Sequence, residues 1–172
     1  MGRTDQGVEA SRHRYHAIPR TLCFITHGGE VLLLRGAPTK RIWPNRYNGV
    51  GGHIERGEDP YSSARREIRE ETGLEVRDLR LRAVVHVDTD DPAAGILLFV
   101  FTARALDRQV RPSPEGTLEW VRREELADLD LVEDLPYLLP KVLAMGDADP
   151  PLFGTYRYDA DDRLIIRWTT PC

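Results

Sequence analysis

The 172 residues carry 24 basic and 28 acidic side chains, a net charge of −4, with 41% apolar and 30% charged positions. Such a chain is long enough for one globular domain with a real hydrophobic core. The negative balance speaks against generic nucleic-acid binding, and no apolar run approaches the ~18 residues of a membrane span.

Residues 1–17 are polar and lack the apolar core of a signal peptide, so they are expected to form a flexible leader before a single domain at 18–172. Residues 20–26 and 30–35 are apolar runs on either side of His27-Gly28-Gly29. That is a hairpin signal, because glycine supplies the positive φ of a tight turn. Residues 36–47 form a loop long enough to be functional, with Lys40, Arg41 and Trp43 in it. Residues 48–54 read as a short strand and a glycine turn. Residues 61–72 read as a helix, with Asp59 as N-cap, Pro60 in the first turn and Gly73 as a left-handed C-cap.

Residues 79–87 alternate as a strand, broken at 88–92, and 95–105 form the continuous apolar run of a buried central strand. Residues 117–121 predict a strand leading into a helical turn at 123–127. A short helix follows at 135–145, with Pro136 tolerated in its first turn. The last elements are two strands, 153–158 and 163–168, joined by Asp159-Ala160-Asp161-Asp162. Together these predict an α/β sandwich around one mixed sheet. Cys23 and Cys172 have no metal-ligand neighbourhood and read as free thiols of a cytoplasmic protein.

The densest chemistry lies in GHIERGEDPYSSARREIREETGL, residues 52–74. On a helix, Glu67, Glu70 and Glu71 share one face, and carboxylates that close repel unless a cation sits among them. Their hard oxygens suit Mg²⁺ or Mn²⁺. Arg66 stands one turn before Glu70 and can hold its carboxylate in place. A solvated surface helix is the plain alternative for such a charge run.

The spacing G-x5-E-x7-R-E-U-x-E-E-x-G-U, with U aliphatic, is filled at every fixed position by Gly52, Glu58, Arg66, Glu67, Ile68, Glu70, Glu71, Gly73 and Leu74. In this the chain resembles the Nudix hydrolases. The resemblance implies an α/β/α sandwich whose loop–helix–loop lies beside the sheet, and metal-dependent hydrolysis of a nucleoside diphosphate linked to another group. It implies Glu67, Glu70, Glu71 and the backbone carbonyl of Gly52 as metal ligands, with Glu58 and Arg66 aligning them. A further carboxylate is expected from a distant loop. Glu115 stands where it would fall, its alternative being an exposed loop glutamate. The catalytic roles thus rest on Arg66, Glu67, Glu70 and Glu115, with Mg²⁺ or Mn²⁺ as cofactor.

Within the family the chain most resembles the MutT-type enzymes that clear oxidised purine nucleoside triphosphates. Tyr47-Asn48-Gly49-Val50-Gly51-Gly52 is similar to the run whose asparagine contacts the base, and Leu131-Val132-Glu133-Asp134 to the segment whose acidic pair reads the purine edge. Asn48, Glu133 and Asp134 are therefore the implied substrate-binding residues. An acidic pair at a helix N-terminus is the alternative for the last two. Leu131 stands where the subgroup carries an aromatic, His53 where it carries lysine, and the 36–46 loop is longer. ADP-ribose, a dinucleoside polyphosphate or a nucleotide sugar are the competing substrates. A non-catalytic nucleotide sensor is disfavoured by the intact motif, and an isoprenoid diphosphate isomerase by the place of Cys23 in the first strand. The expected partner is a small nucleotide, with neither nucleic acid nor membrane, bound to a monomer or homodimer.

Overall fold

A computed structural model describes residues 13–169. Cys172 and the first 12 residues of the expected leader lie outside them. The chain order is β1 (His16–His27), β2 (Glu30–Gly36), β3 (Tyr47–Asn48), α1 (Pro60–Thr72), β4 (Val76–Val87), β5 (Ala94–Ala105), β6 (Gly116–Arg122), a 3₁₀ helix (Arg123–Asp128), α2 (Leu135–Ala144), β7 (Leu152–Tyr158) and β8 (Leu164–Thr169). The strands form one mixed sheet in the order β3-β2-β1-β5-β4-β7-β8, with β6 paired to β2. None of the described helices is long and apolar enough to cross a membrane.

Strand alternation sends successive side chains to opposite faces, and this splits the core in two. Leu22 and Phe24 of β1 and Val31 and Leu33 of β2 point to one face, where Leu135, Leu138, Leu139 and Val142 of α2 cover them. Cys23, Ile25, Leu32 and Leu34 point to the other, against Ala64 and Ile68 of α1. The expected α/β/α layering is the one found. β5 is central, running parallel to β1 and antiparallel to β4. His16 and Ala17, expected in the leader, belong to β1 and pair with Ala94 and Gly95. Pairing with β5, not hydrophobicity, carries the strand that far.

Asp59 caps α1 by accepting from the N–H groups of Tyr61 at 2.8 Å and Ser62 at 3.0 Å, and Gly73 closes it with φ of 75°. The β1–β2 turn has Gly28 at φ 57° and Gly29 at 91°. Beyond that hairpin the two strands part. β1 pairs with β2 only from Ile25 to His27. Upstream, Cys23 N–H donates to Val50 O at 2.7 Å and Thr21 N–H to Gly52 O at 2.9 Å. Residues 49–52 thus wedge into the split, so close that a Cβ on Gly51 would strike the Thr21 carbonyl. Gly51 also has φ of 149°, which only glycine adopts readily.

Candidate active site

The wedge brings the glycine turn against the carboxylate face of α1. A Cβ on Gly52 would lie 2.6 Å from Glu67 Oε1, so the missing side chain is the seat of that carboxylate. Gly51 N–H donates to Glu71 Oε2 at 3.2 Å. Burial pushes the Glu71 carboxyl up to about 7; the Gly51 bond opposes the rise, and the nearby charges of Glu67 and Glu115 add to it.

Arg66 is the hub. Its Nε donates to Glu58 Oε1 at 2.7 Å and Nη2 to Glu58 Oε2 at 2.9 Å, a bidentate pair. Nη1 donates to Glu67 Oε1 at 2.8 Å and Glu70 Oε2 at 3.1 Å, and Nη2 to the His53 carbonyl at 3.2 Å. The Arg66 bonds, with one from the Glu55 N–H, hold the Glu58 carboxyl down at about 2. Arg66 and Glu58 thus tie the turn before α1 to the helix.

Glu115, at the end of the loop before β6, forms an ion pair with Lys40 at 2.6 Å and sits near enough to raise the Glu71 carboxyl. The 36–47 loop and the 109–116 loop therefore meet beside α1. Lys40 had no role assigned from sequence, since nothing local links it to a residue 75 positions away. The Gly52 carbonyl already accepts from Thr21 N–H, leaving one lone pair free. Among the described residues no three carboxylate, imidazole or thiol side chains are gathered at ion-holding separations. Mutual repulsion and the pull of Arg66 explain why Glu67 and Glu70 turn towards the guanidinium.

The second group of expected residues lies across the sheet edge. Tyr47 N–H donates to Asp130 O and Val132 N–H to Tyr47 O, which lays β3 beside residues 130–132. Asn48 follows Tyr47, and Glu133 and Asp134 follow Val132, so the backbone pairing lays these two stretches of chain side by side. Asn48 Oδ1 accepts from Gly49 N–H at 2.8 Å, leaving its NH₂ as the free donor. Glu133 accepts from Tyr158 Oη at 2.9 Å. Asp134 occupies the N-cap position of α2, yet its side chain makes no cap bond. Burial pushes its carboxyl up to about 6, with Glu133 adding to the rise. Tyr156, buried on β7, has no hydrogen-bond partner for its hydroxyl among the described residues and feels the Asp134 charge. Tyr47 Oη donates to Glu119 Oε2 at 2.9 Å beneath the Arg35 guanidinium. Tyr156, Tyr158 and Glu119 were not singled out as site residues from sequence; their alternation on β6 and β7 was the available signal. Cys23 is fully buried in β1, its thiol pushed up by burial and then by Glu71 and Glu67, so it is no ready nucleophile.

Asp134 gives a pH test. Its folded carboxyl titrates near 6 and an unfolded one near 3.9, so the folded chain holds the proton more tightly. Stability therefore falls as pH rises from about 4 to about 6, and stays lower above. Asp134→Asn is expected to raise stability at pH 7.5 by about 1–2 kcal/mol, the helix dipole and partial exposure reducing the effect, and to change little at pH 4. Thermal melts at the two pH values check it; a lower Tm for the variant at pH 7.5 would refute the burial argument.

Residues 17–142 match the NUDIX domain, and the chain belongs to that family of hydrolases. It is 29% identical over 147 residues to the oxidized purine nucleoside triphosphate hydrolase of Mus musculus, covering 84% of this chain and 89% of that one. It is 36% identical over 159 residues to the NAD-capped RNA hydrolase NudC of Pseudomonas aeruginosa, covering 88% of this chain but 54% of the relative, about half its length. A mutator MutT protein from Bacillus halodurans has the same fold, with a TM-score of 0.74 at 28% identity, over 88% of this chain and 97% of that structure.

Proposed function

We propose that the chain is a nucleoside triphosphate pyrophosphohydrolase, acting on oxidised or unmodified purine nucleotides and releasing a nucleoside monophosphate and pyrophosphate. The observation that carries the reading is the pairing of two arrangements on one wedge. Gly51 and Gly52 face Glu67 and Glu71, while Tyr47-Asn48 leads into the same turn and Tyr47 is bonded to residues 130 and 132, just ahead of Glu133 and Asp134. The likeness to a hydrolase of oxidised purine triphosphates supports it.

The residues fit a divalent cation. The donors are hard oxygens, Gly52 leaves room for Glu67, and Glu71 is a half-buried carboxyl with no countercharge within hydrogen-bond reach among the described residues. Glu67, Glu70, Glu71, Glu115 and the Gly52 carbonyl would hold Mg²⁺ or Mn²⁺, which when bound neutralises phosphate charge and orients the attacking water. Arg66 keeps Glu67 and Glu70 aimed at one place. Glu70, the most exposed of the carboxylates on α1, can accept the proton of the attacking water. Lys40, released from its pair with Glu115, would offer its ammonium to the phosphate chain. At the other end, the NH₂ of Asn48 can donate to a base, and Asp134, part-protonated near neutral pH, can donate or accept.

A second reading, hydrolysis of ADP-ribose, a dinucleoside polyphosphate or a nucleotide sugar, is favoured by the likeness to an enzyme of NAD-capped RNA. One assay separates the two. Phosphate and pyrophosphate release with Mg²⁺ is measured on 8-oxo-dGTP, dGTP, dATP, dCTP, ADP-ribose and diadenosine polyphosphates. Preference for a purine triphosphate, with pyrophosphate as product, is the expected result. Preference for ADP-ribose or a dinucleotide would retain the carboxylate roles and sink the base pocket.

A further inference from the structure

A cleft of about 500 Å³ opens where β1 turns into β2, β5 ends and β4 begins, lined in part by Thr26, Gly28, Gly29, Arg77, Arg104 and Arg123. It lies at the opposite end of β1 from the glycine turn that seats Glu67. Thr26 lies five residues along β1 from Thr21, the residue bonded to Gly52, a separation of about 17 Å.

The arginines here break a rule of sheet construction. Arg77 and Arg104 stand directly opposite each other in the β4–β5 ladder, and like charges in that relation destabilise a sheet. Their carboxylate neighbours are loosely placed. Asp78 reaches Arg77 at 3.9 Å and Arg104 at 3.6 Å, and Asp147 reaches Arg104 at 3.8 Å. Arg123 makes one bond, at 3.4 Å, to the Leu143 carbonyl. In the adjoining recess Arg82 is 6% exposed and tied to Thr102 Oγ1 at 2.8 Å and the Gly146 carbonyl at 2.7 Å, adding a buried charge that is structurally engaged. Nearby, Arg80 is held by Asp147, its Nε 3.5 Å from the carboxylate and its Nη1 donating to the carbonyl at 3.1 Å. The backbone is shaped to this end too. A bulge falls between Arg77 and Arg80, with Asp78 at φ 53°, and bulges re-aim the side chains around them.

We propose that this cleft is a second anion site, separate from the hydrolytic one, which takes a short phosphate chain on Arg77, Arg104 and Arg123. Each guanidinium offers a planar fork that matches phosphate oxygens and makes few demands on the protein here. A bound polyanion removes the Arg77–Arg104 repulsion, which the protein's own carboxylates only partly offset. Arg82, in the adjoining recess, adds positive charge nearby but is not a reading group, because its bonds are already committed.

The test is calorimetric titration of sodium tripolyphosphate into the full chain in EDTA, so that no divalent ion recruits the probe to Glu67, Glu70 and Glu71. Saturable binding is expected in the unaltered protein and equally in Glu70→Gln, and at least tenfold weaker binding in Arg77→Gln/Arg104→Gln. Both arginine side chains are more than half exposed, and the double substitution relieves a repulsion, so the fold should persist, as a thermal melt would confirm. The amide signals of Gly28 and Gly29 should move during the titration. A parallel titration with a nucleoside triphosphate separates the sources. Equal affinity marks the phosphate chain as the whole ligand, and tighter binding that is lost in the double variant marks a nucleotide. Absence of saturable binding of either probe, or binding unchanged in the double variant, overturns the proposal.

Discussion

Glu70→Gln is expected to lower turnover on the order of 10²–10⁴-fold while leaving the fold essentially untouched. The side chain is 61% exposed and its one described contact is the 3.1 Å pair with Arg66, one helical turn away. Exposed pairs of that spacing contribute only about 0.3–0.5 kcal/mol, so Tm should move by roughly 1–2 °C. Glutamine keeps the shape but removes a hard anionic oxygen and the proton acceptor, and both functions belong to the proposed hydrolysis. Steady-state kinetics in Mg²⁺ beside a thermal melt give both numbers. Turnover within a few-fold of the unaltered enzyme would transfer the proton-accepting role to Glu67, Glu71 or Glu115. Glu67, 13% exposed and seated against Gly52, is a poorer probe, because changing it disturbs packing as well as chemistry.

Arg66→Ala is expected to do the opposite kind of damage, costing stability as well as activity. The guanidinium spans Glu58, Glu67, Glu70 and the His53 carbonyl, and truncation leaves two part-buried carboxylates facing each other without a cation. A loss of about 2–4 kcal/mol follows, or roughly 5–12 °C in Tm. Arg66→Lys should restore only part, since a compact ammonium cannot reach three carboxylates in a fork. The effect has a direction in pH. Glu58 titrates at about 2 in the folded chain, below its unfolded value, so its contribution is present above roughly pH 4.5 and lost as pH falls towards 2. The gap between the unaltered protein and the alanine variant should narrow in acid. A gap that is constant from pH 7 to pH 3 in denaturant titrations would show that Arg66 stabilises through packing alone.

Most of the fold was legible because local rules and the global arrangement agree. The Asp59 cap, the Gly73 terminus, the Gly28-Gly29 turn and the central run of β5 each carry their own signal, and each is where it was expected. The motif on α1 was legible for the same reason, since helical spacing alone places Arg66 one turn from Glu70. What the chain alone did not reveal depends on long-range pairing. β1 gains its first residues from β5, and Lys40 meets Glu115 through the approach of two loops. The engagement of the Gly52 carbonyl by Thr21 arises only once β1 and β2 part. Pairings over such separations have no trace in composition or periodicity, because either partner would be equally at home facing water.

The wedge at residues 49–52 has a bearing on how such an enzyme changes over time. Its last two glycines face the carboxylates of α1, and Tyr47, just ahead of it, is bonded to residues 130 and 132, beside the Glu133 that Tyr158 of β7 holds. On the proposed reading, hydrolysis and base recognition are hinged on one short segment but built from different stretches of chain. On that reading, substitutions around Leu131, Glu133 or Tyr158 would redirect the preferred nucleotide while α1 stays as it is. Replacement of Gly51 or Gly52 has no such freedom, because the adjoining Thr21 carbonyl or Glu67 carboxylate occupies the space a side chain would need. Diversification would then be channelled to residues 130–134, and the turn beside them is the part that heredity must copy faithfully.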